Sequence, residues 1–259
     1  MSDRLERSER VYADLFGPRD TTAPDTDPEF GRILRTYIFG DLFALGELDH
    51  RTRELITVTA LATLQALPQL RGHLNAALNV GVEPVQLRET IYQLAPFMGF
   101  PRTLNAVAVL NEVLTAHGVE LPLPDQGSTN DEDRHDRGHR IQADLYGTRM
   151  ADSLAPLPAP FAEAVPGLLT GWAFGDFATR GGLDTATREL LILCALATLG
   201  LEAQVRSHVA GAVAAGNSTE TILAALAHLS GYAGFPAAVN AIRQLVLLAS
   251  DGPAPRVEG

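Results

Sequence analysis

The stretch "QLRGHLNAALNVG" (Gln69 to Gly81) returns as "QVRSHVAGAVAAG" (Gln204 to Gly216), 135 residues further along the chain. In the first version Leu70, Leu74, Ala77 and Leu78 fall on one helical face, and Gly81 stands where a left-handed residue closes a helix; Gly216 does the same in the second. An arginine and a histidine interrupt the apolar pattern both times. A polar pair written twice into a face made for burial calls for an account in both fold and chemistry.

Working outward at the same offset, "FGDLFALGELDHRTREL" (Phe39 to Leu55) aligns with "FGDFATRGGLDTATREL" (Phe174 to Leu190), and "GFPRTLNAV" (Gly99 to Val107) with "GFPAAVNAI" (Gly234 to Ile242). Upstream, "RSERVYADLFG" (Arg7 to Gly17) pairs with "RGHRIQADLYG" (Arg137 to Gly147) at an offset of 130, so the second copy carries five extra residues. The chain is a tandem duplication, with copies at 1–125 and 126–259. Between them "HGVELPLPDQGSTNDEDRHDRG" is rich in Pro, Gly, Asp and Ser without periodicity and reads as a linker. Solenoid repeats have periods of about 20 to 50 residues, far shorter than these. The expectation is two homologous units packed as a pseudo-twofold dimer.

Abundant Ala and Leu, 6% aromatics and no strand-like alternation predict an all-α protein of antiparallel helical bundles. Asp49 and Asp184, with Thr52 and Thr187 three positions on, are N-cap candidates for a buried helix. The third helix of each copy is expected to start at Pro84 or Ser218, with Asn217 and Glu220 at capping-box spacing, and to run to Gly99 or Gly234, where Gly-Phe-Pro turns the chain. Twenty basic against thirty-one acidic residues give a net charge of −11, which argues against nucleic acid or an anionic membrane as partner. No apolar run approaches the roughly 18 residues of a membrane span, and the start "MSDRLERSER" is charged. A cytoplasmic protein is expected. The lone cysteine, Cys194, sits in "ELLILCALATLG" as a small buried hydrophobe.

"LDxxTREL", then "RxH", "AxxxG" and "GFPxxxNA", in this order, resemble the carboxymuconolactone decarboxylase family, which also includes alkylhydroperoxidase D-type proteins. The resemblance covers roughly residues 30–115 and 137–248, and "TGWAFGDFATRGGLD" with "QVRSHVAGAVAAG" is similar to the decarboxylase branch. The redox branch has a glutamate, a Cys-x-x-Cys pair starting twelve positions later, and a histidine at nineteen. Glu54 to His73 and Glu189 to His208 keep the spacing of nineteen, but Ala66 and Gln69, Leu201 and Gln204 occupy the cysteine positions. Without two thiols a dithiol relay is excluded. The resemblance implies a lyase that uses no metal and no organic cofactor, acts on a small lactone, and assembles as rings of dimers; a two-copy chain would then form a homotrimer.

Decarboxylation needs a cation to orient the departing carboxylate, a polarised carbonyl to take its electrons, and a proton donor. Arginine and histidine supply the first and last. His73 and His208 are therefore the candidate catalytic residues, with Glu54 and Glu189 orienting them, and Arg71, Arg206, Arg53 and Arg188 are candidate substrate-binding residues. Arg53-Glu54 and Arg188-Glu189 read equally well as ion pairs tying adjacent helices. Glu89 and Tyr92 align with Ala224 and Ala227, and Gln93 and Phe97 with His228 and Tyr232. His228, Tyr232 and Trp172 join the binding candidates and make the second copy the chemically richer one. Three functions fit: a cofactor-independent lyase on a small cyclic lactone or keto acid; the same pocket performing elimination, isomerisation or cyclisation; or a non-catalytic binding or assembly module.

Overall fold

The computed structural model describes residues 3–18 and 26–250. Among them there is no strand, in agreement with the all-α expectation. The first copy comprises α1 (Asp3–Phe16), α2 (Pro28–Arg35), α3 (His50–Leu64), α4 (Leu67–Asn79), α5 (Pro84–Tyr92), α6 (Ala95–Met98) and α7 (Phe100–Ala116). The second comprises α8 (Arg134–Tyr146), α9 (Arg149–Leu154), α10 (Phe161–Leu169), α11 (Thr185–Thr198), α12 (Glu202–Ala214), α13 (Thr219–His228) and α14 (Phe235–Ser250). After α2 and α10 the chain widens into π-helical segments, Thr36–Asp41 and Thr170–Ala178.

Helices α3 and α11 start at the expected caps: the side chains of Asp49 and Asp184 each accept the N–H of the threonine three positions on, at 2.7 Å. Both are buried around most of their circumference, Arg53 and Glu54 included, because they pack against each other at the centre of the molecule. One continuous core therefore runs from Leu55 and Ile56 of the first copy to Leu191 and Leu193 of the second. Contacts at the rim repeat with the pseudo-twofold: Tyr37 packs on Phe235, and Trp172 on Phe100. In α4, Leu70, Leu74 and Ala77 are fully buried, and Gly81 and Gly216 take the left-handed conformation that ends α4 and α12.

Three local expectations are corrected. The third helix stops short of the glycine in each copy: α5 ends at Tyr92, because Pro96 has no N–H to return to its carbonyl, while α13 ends at His228 and tightens into the 3-10 turn Leu229–Gly231. Ser218, not Asn217, caps α13 by accepting the Thr221 N–H; the Asn217 amide instead donates to the Ala186 and Ala212 carbonyls. The last five residues assigned to the linker, Arg134 to Gly138, are already helix α8. The preceding segment is held by Arg88, which donates to the Leu123 and Pro124 carbonyls.

Helix α8 lies on the second π-segment through a glycine-to-glycine contact. A Cβ on Gly138 would stand 2.5 Å from the Thr170 carbonyl oxygen, and one on Gly175 at 2.5 Å from that of Arg134. The equivalent contact in the first copy is looser, with Ser8 beside Gly40 and its hydroxyl donating to the Arg35 carbonyl. This approach sets the position of Tyr146, the last residue of α8. Helices α2 and α10 bury no residue and present Phe30, Ile33, Phe161 and Leu168 outward. Among the described residues no helix is long and apolar enough to cross a membrane.

Gly175→Ala is expected to lower unfolding free energy by about 1–3 kcal/mol, since backbone must move to admit the methyl group. Gly72→Ala, on α4 with open space around it, is expected to be neutral or stabilising by up to about 1 kcal/mol. Urea midpoints of the two variants check the pair.

Candidate functional site

Helix α11 carries Glu189 and α12 carries His208, and their packing brings His208 Nδ1 to 3.1 Å from Glu189 Oε2. The Tyr146 hydroxyl donates to the same carboxylate oxygen and lies 2.7 Å from His208 Nδ1. Burial, reinforced by the Glu189 charge, pushes the Tyr146 phenol well above its usual range, so it stays protonated and donates. With Nδ1 beside the carboxylate, Nε2 is the ring nitrogen left to exchange a proton with a bound molecule. These groups open onto a cavity of about 380 Å³ with apolar walls from Leu145, Phe174, Phe177 and Ile192. Three wall residues, Gln93, Pro96 and Phe97, come from the first copy, and the Phe97 ring meets His208 edge-on. A volume of this order suits a small organic ligand.

The first copy builds a related but different constellation. His73 Nδ1 lies 2.8 Å from Glu54 Oε2, while Phe16 stands where Tyr146 stands in the second copy and packs edge-on to His73. The hydroxyl here arrives from the other copy: Tyr232 meets His73 with centroids 5.5 Å apart, and its oxygen, like Glu54 Oε1, has no hydrogen-bond partner among the described residues. Three neighbouring positions that line the cavity around His208 carry bulkier residues near His73. Gln142, Ala173 and Ala178 correspond to Tyr12, Ile38 and Phe43, which belong to a second apolar core.

The family model of the Carboxymuconolactone decarboxylase family matches this chain twice, over residues 28–112 and 163–246. The chain belongs to this family. Carboxymuconolactone decarboxylase relatives include the 4-carboxymuconolactone decarboxylase of Acinetobacter baylyi, 28% identical over 95 residues that make up 37% of this chain and 71% of the relative. A nitrosuccinic acid decarboxylase of Metarhizium robertsii is 29% identical over 118 residues, 44% of this chain and 82% of the relative. A solved structure from Burkholderia xenovorans, assigned as a gamma-carboxymuconolactone decarboxylase subunit, superposes with a TM-score of 0.53 over 97% of this chain and 99% of that one, at 21% identity, which establishes likeness of fold.

Of the family-motif residues, the glutamate–histidine pairs sit together as the spacing suggested, but several assigned partners lie elsewhere. Arg71 is exposed and paired with Glu112; Arg206 is exposed, and neither arginine lines the cavity. Both extend from the helix face opposite the buried one. Arg53 is fully buried and donates to the carbonyls of Leu42, Leu45 and Leu48, tying down the loop before its own helix. Arg188 similarly donates to the carbonyls of Arg180 and Gly181, yet it also lines the cavity. Trp172 does not line it and packs on Phe100 and Phe177. His228 and Tyr232 belong to the first site, not the second: His228 Nε2 lies 3.0 Å from the Thr57 hydroxyl and Nδ1 3.5 Å from Arg53. The pseudo-twofold exchanges these residues, so the sequence expectation of a richer second copy is corrected.

Tyr146 was missed. Its signal lay in the aligned endings "DLFG" and "DLYG", and in Gly211 opposite Ala76: a Cβ at 211 would overlap the Tyr146 hydroxyl. Cys194 is buried, and burial pushes its thiol far up, as suits a packing residue.

Burial, with the Arg53 charge beside it, holds His228 well below the usual histidine value of 6.5. The unfolded chain therefore takes up a proton there that the folded chain refuses, and stability falls as pH drops through about 6.5. His228→Gln is expected to lose less melting temperature than wild type between about pH 7.5 and about pH 5.5. Equal losses would show that His228 does not set this slope.

Proposed function

We propose that the second site is a cofactor-independent decarboxylating lyase of the cytoplasm, acting on a small cyclic lactone or keto acid. The observation that carries this reading is the Tyr146–Glu189–His208 cluster opening onto a ligand-sized apolar cavity. The carbon–carbon bond to the carboxylate breaks, carbon dioxide leaves, and the electron pair passes to a carbonyl conjugated with that carbon. His208, acting as an imidazolium, then delivers its Nε2 proton to the resulting enolate carbon, keeps its Nδ1 proton on Glu189, and regains the lost proton from water. Glu189 and the Tyr146 hydroxyl hold the ring by Nδ1, in the orientation that leaves Nε2 for this transfer. Apolar walls exclude water and strengthen each polar contact. The reaction draws on side chains alone. In this reading the first site, crowded by Tyr12, Ile38 and Phe43, serves packing.

Three chains would close into a ring through α2 and α10, whose outward apolar faces carry Ile33 and Leu168 at equivalent positions.

Carbon dioxide release from γ-carboxymuconolactone tests the reaction. His208→Gln is expected to lower turnover at least about a hundredfold and Tyr146→Phe about tenfold, with His73→Gln within about threefold of wild type. No release by folded wild type, or equal loss in both histidine variants, would overturn the assignment. Light scattering is expected to give three times the chain mass of 27.7 kDa; a monomer would remove the ring.

A further inference from the structure

We infer that Gln93 and Arg188 form a subsite for one carboxylate group of the ligand, assembled from both copies on the wall of the second cavity. This rests on the lyase reading and specifies how its substrate is held.

Two residues that line this cavity each hold a buried donor that is unpaired. Gln93 Nε2 and Arg188 Nε have no hydrogen-bond partner among the described residues, although Gln93 and Arg188 are only 2% and 3% exposed. Such a group left unsatisfied keeps its full desolvation penalty, which a ligand oxygen would recover. The orientation of the Gln93 amide is fixed by chemistry: Arg188 Nη1 donates to its oxygen at 3.3 Å, and a guanidinium can only donate, so the other end must be the NH₂.

The first site shows that this is a departure and not a property of the fold. There Arg53 Nε donates to the Leu48 carbonyl at 3.1 Å, and His228, the counterpart of Gln93, has its Nε2 against the Thr57 hydroxyl. Around the second site Ile192 replaces Thr57 and offers nothing to accept, and the Arg188 Nε makes no bond equivalent to that of Arg53. The same scaffold positions are saturated in one site and left with two donors in the other.

Charge points the same way. Behind this wall the guanidinium groups of Arg88, Arg180 and Arg188 converge on the single buried carboxylate of Glu89. Asp125, 3.8 Å from Arg180, is exposed and screened by water. In the first site the corresponding residues are Leu223, Leu45, Arg53 and Ala224, so the cluster of three arginines on one carboxylate is peculiar to the second. Glu189, also on the cavity, is compensated by its own hydrogen bonds to Tyr146 and His208. Two donors backed by a cluster of arginines match a planar carboxylate.

Calorimetric titration tests this with two matched probes, a saturated five-membered lactone bearing one carboxylate and its carboxamide. Wild type is expected to bind the carboxylate at least about tenfold more tightly than the amide. Gln93→Met should cut that preference to about threefold or less, with amide binding changed by less than about twofold. Gln93→Glu, which keeps the acceptor for Arg188 but places a second acceptor on the wall, should abolish carboxylate binding. Failure of wild type to bind the carboxylate, absence of preference, or a preference that survives in folded Gln93 variants would each overturn the subsite. The reaction is judged separately: carboxylate preference without carbon dioxide release keeps the subsite and rejects the lyase, and release with a KM indifferent to Gln93→Met does the reverse.

Discussion

A buried arginine on each central helix is the constraint around which this molecule is arranged. Helices α3 and α11 are enclosed on nearly all sides, and each still carries an Arg-Glu pair. An ion taken from water into such a place costs several kcal/mol unless its donors are met. Arg53 and Arg188 answer that demand locally by binding the carbonyls of the chain that leads into their own helices. The incoming loops are thereby folded back over the helix starts. The adjacent glutamates point the other way, toward the histidines, so one dipeptide fixes a loop with its first residue and an imidazole with its second.

Pseudo-twofold packing then makes each site a joint product. The end of α13 reaches over α3, and α5 and α6 reach over α11. Arg53 meets His228 as Arg188 meets Gln93, and His73 meets Tyr232 as His208 meets Phe97. The hydroxyl near the histidine comes from the same copy in the second site and from the opposite copy in the first. Equivalent backbones therefore hold chemically unequal groups, and the apolar packing of Tyr12, Ile38 and Phe43 against the open wall of Gln142, Ala173 and Ala178 widens the difference.

What could be read from the sequence was what local rules govern. The Asp-x-x-Thr caps, the glycines closing α4 and α12, and the nineteen-residue step from glutamate to histidine all depend on neighbours along the chain, and they hold. Assigning His228 and Tyr232 to the second site failed because their place is decided by packing between copies, across more than 150 positions of chain. Arg71 misled for a different reason: it stands two residues from His73, but that step turns it by about 200° around the helix, onto the surface. Pro96, read alone, would have ended the third helix correctly. Tyr146 needed two compensating changes, Phe16 to Tyr and Ala76 to Gly, to be read together.

Joining the two copies in one chain has a genetic consequence. When identical subunits pair about a true twofold, any substitution is installed in both sites at once, and a change that helps one while harming the other has no way to persist. Here position 93 faces only one histidine and position 228 only the other. The two walls can therefore mutate independently, and each is free to change without altering its twin.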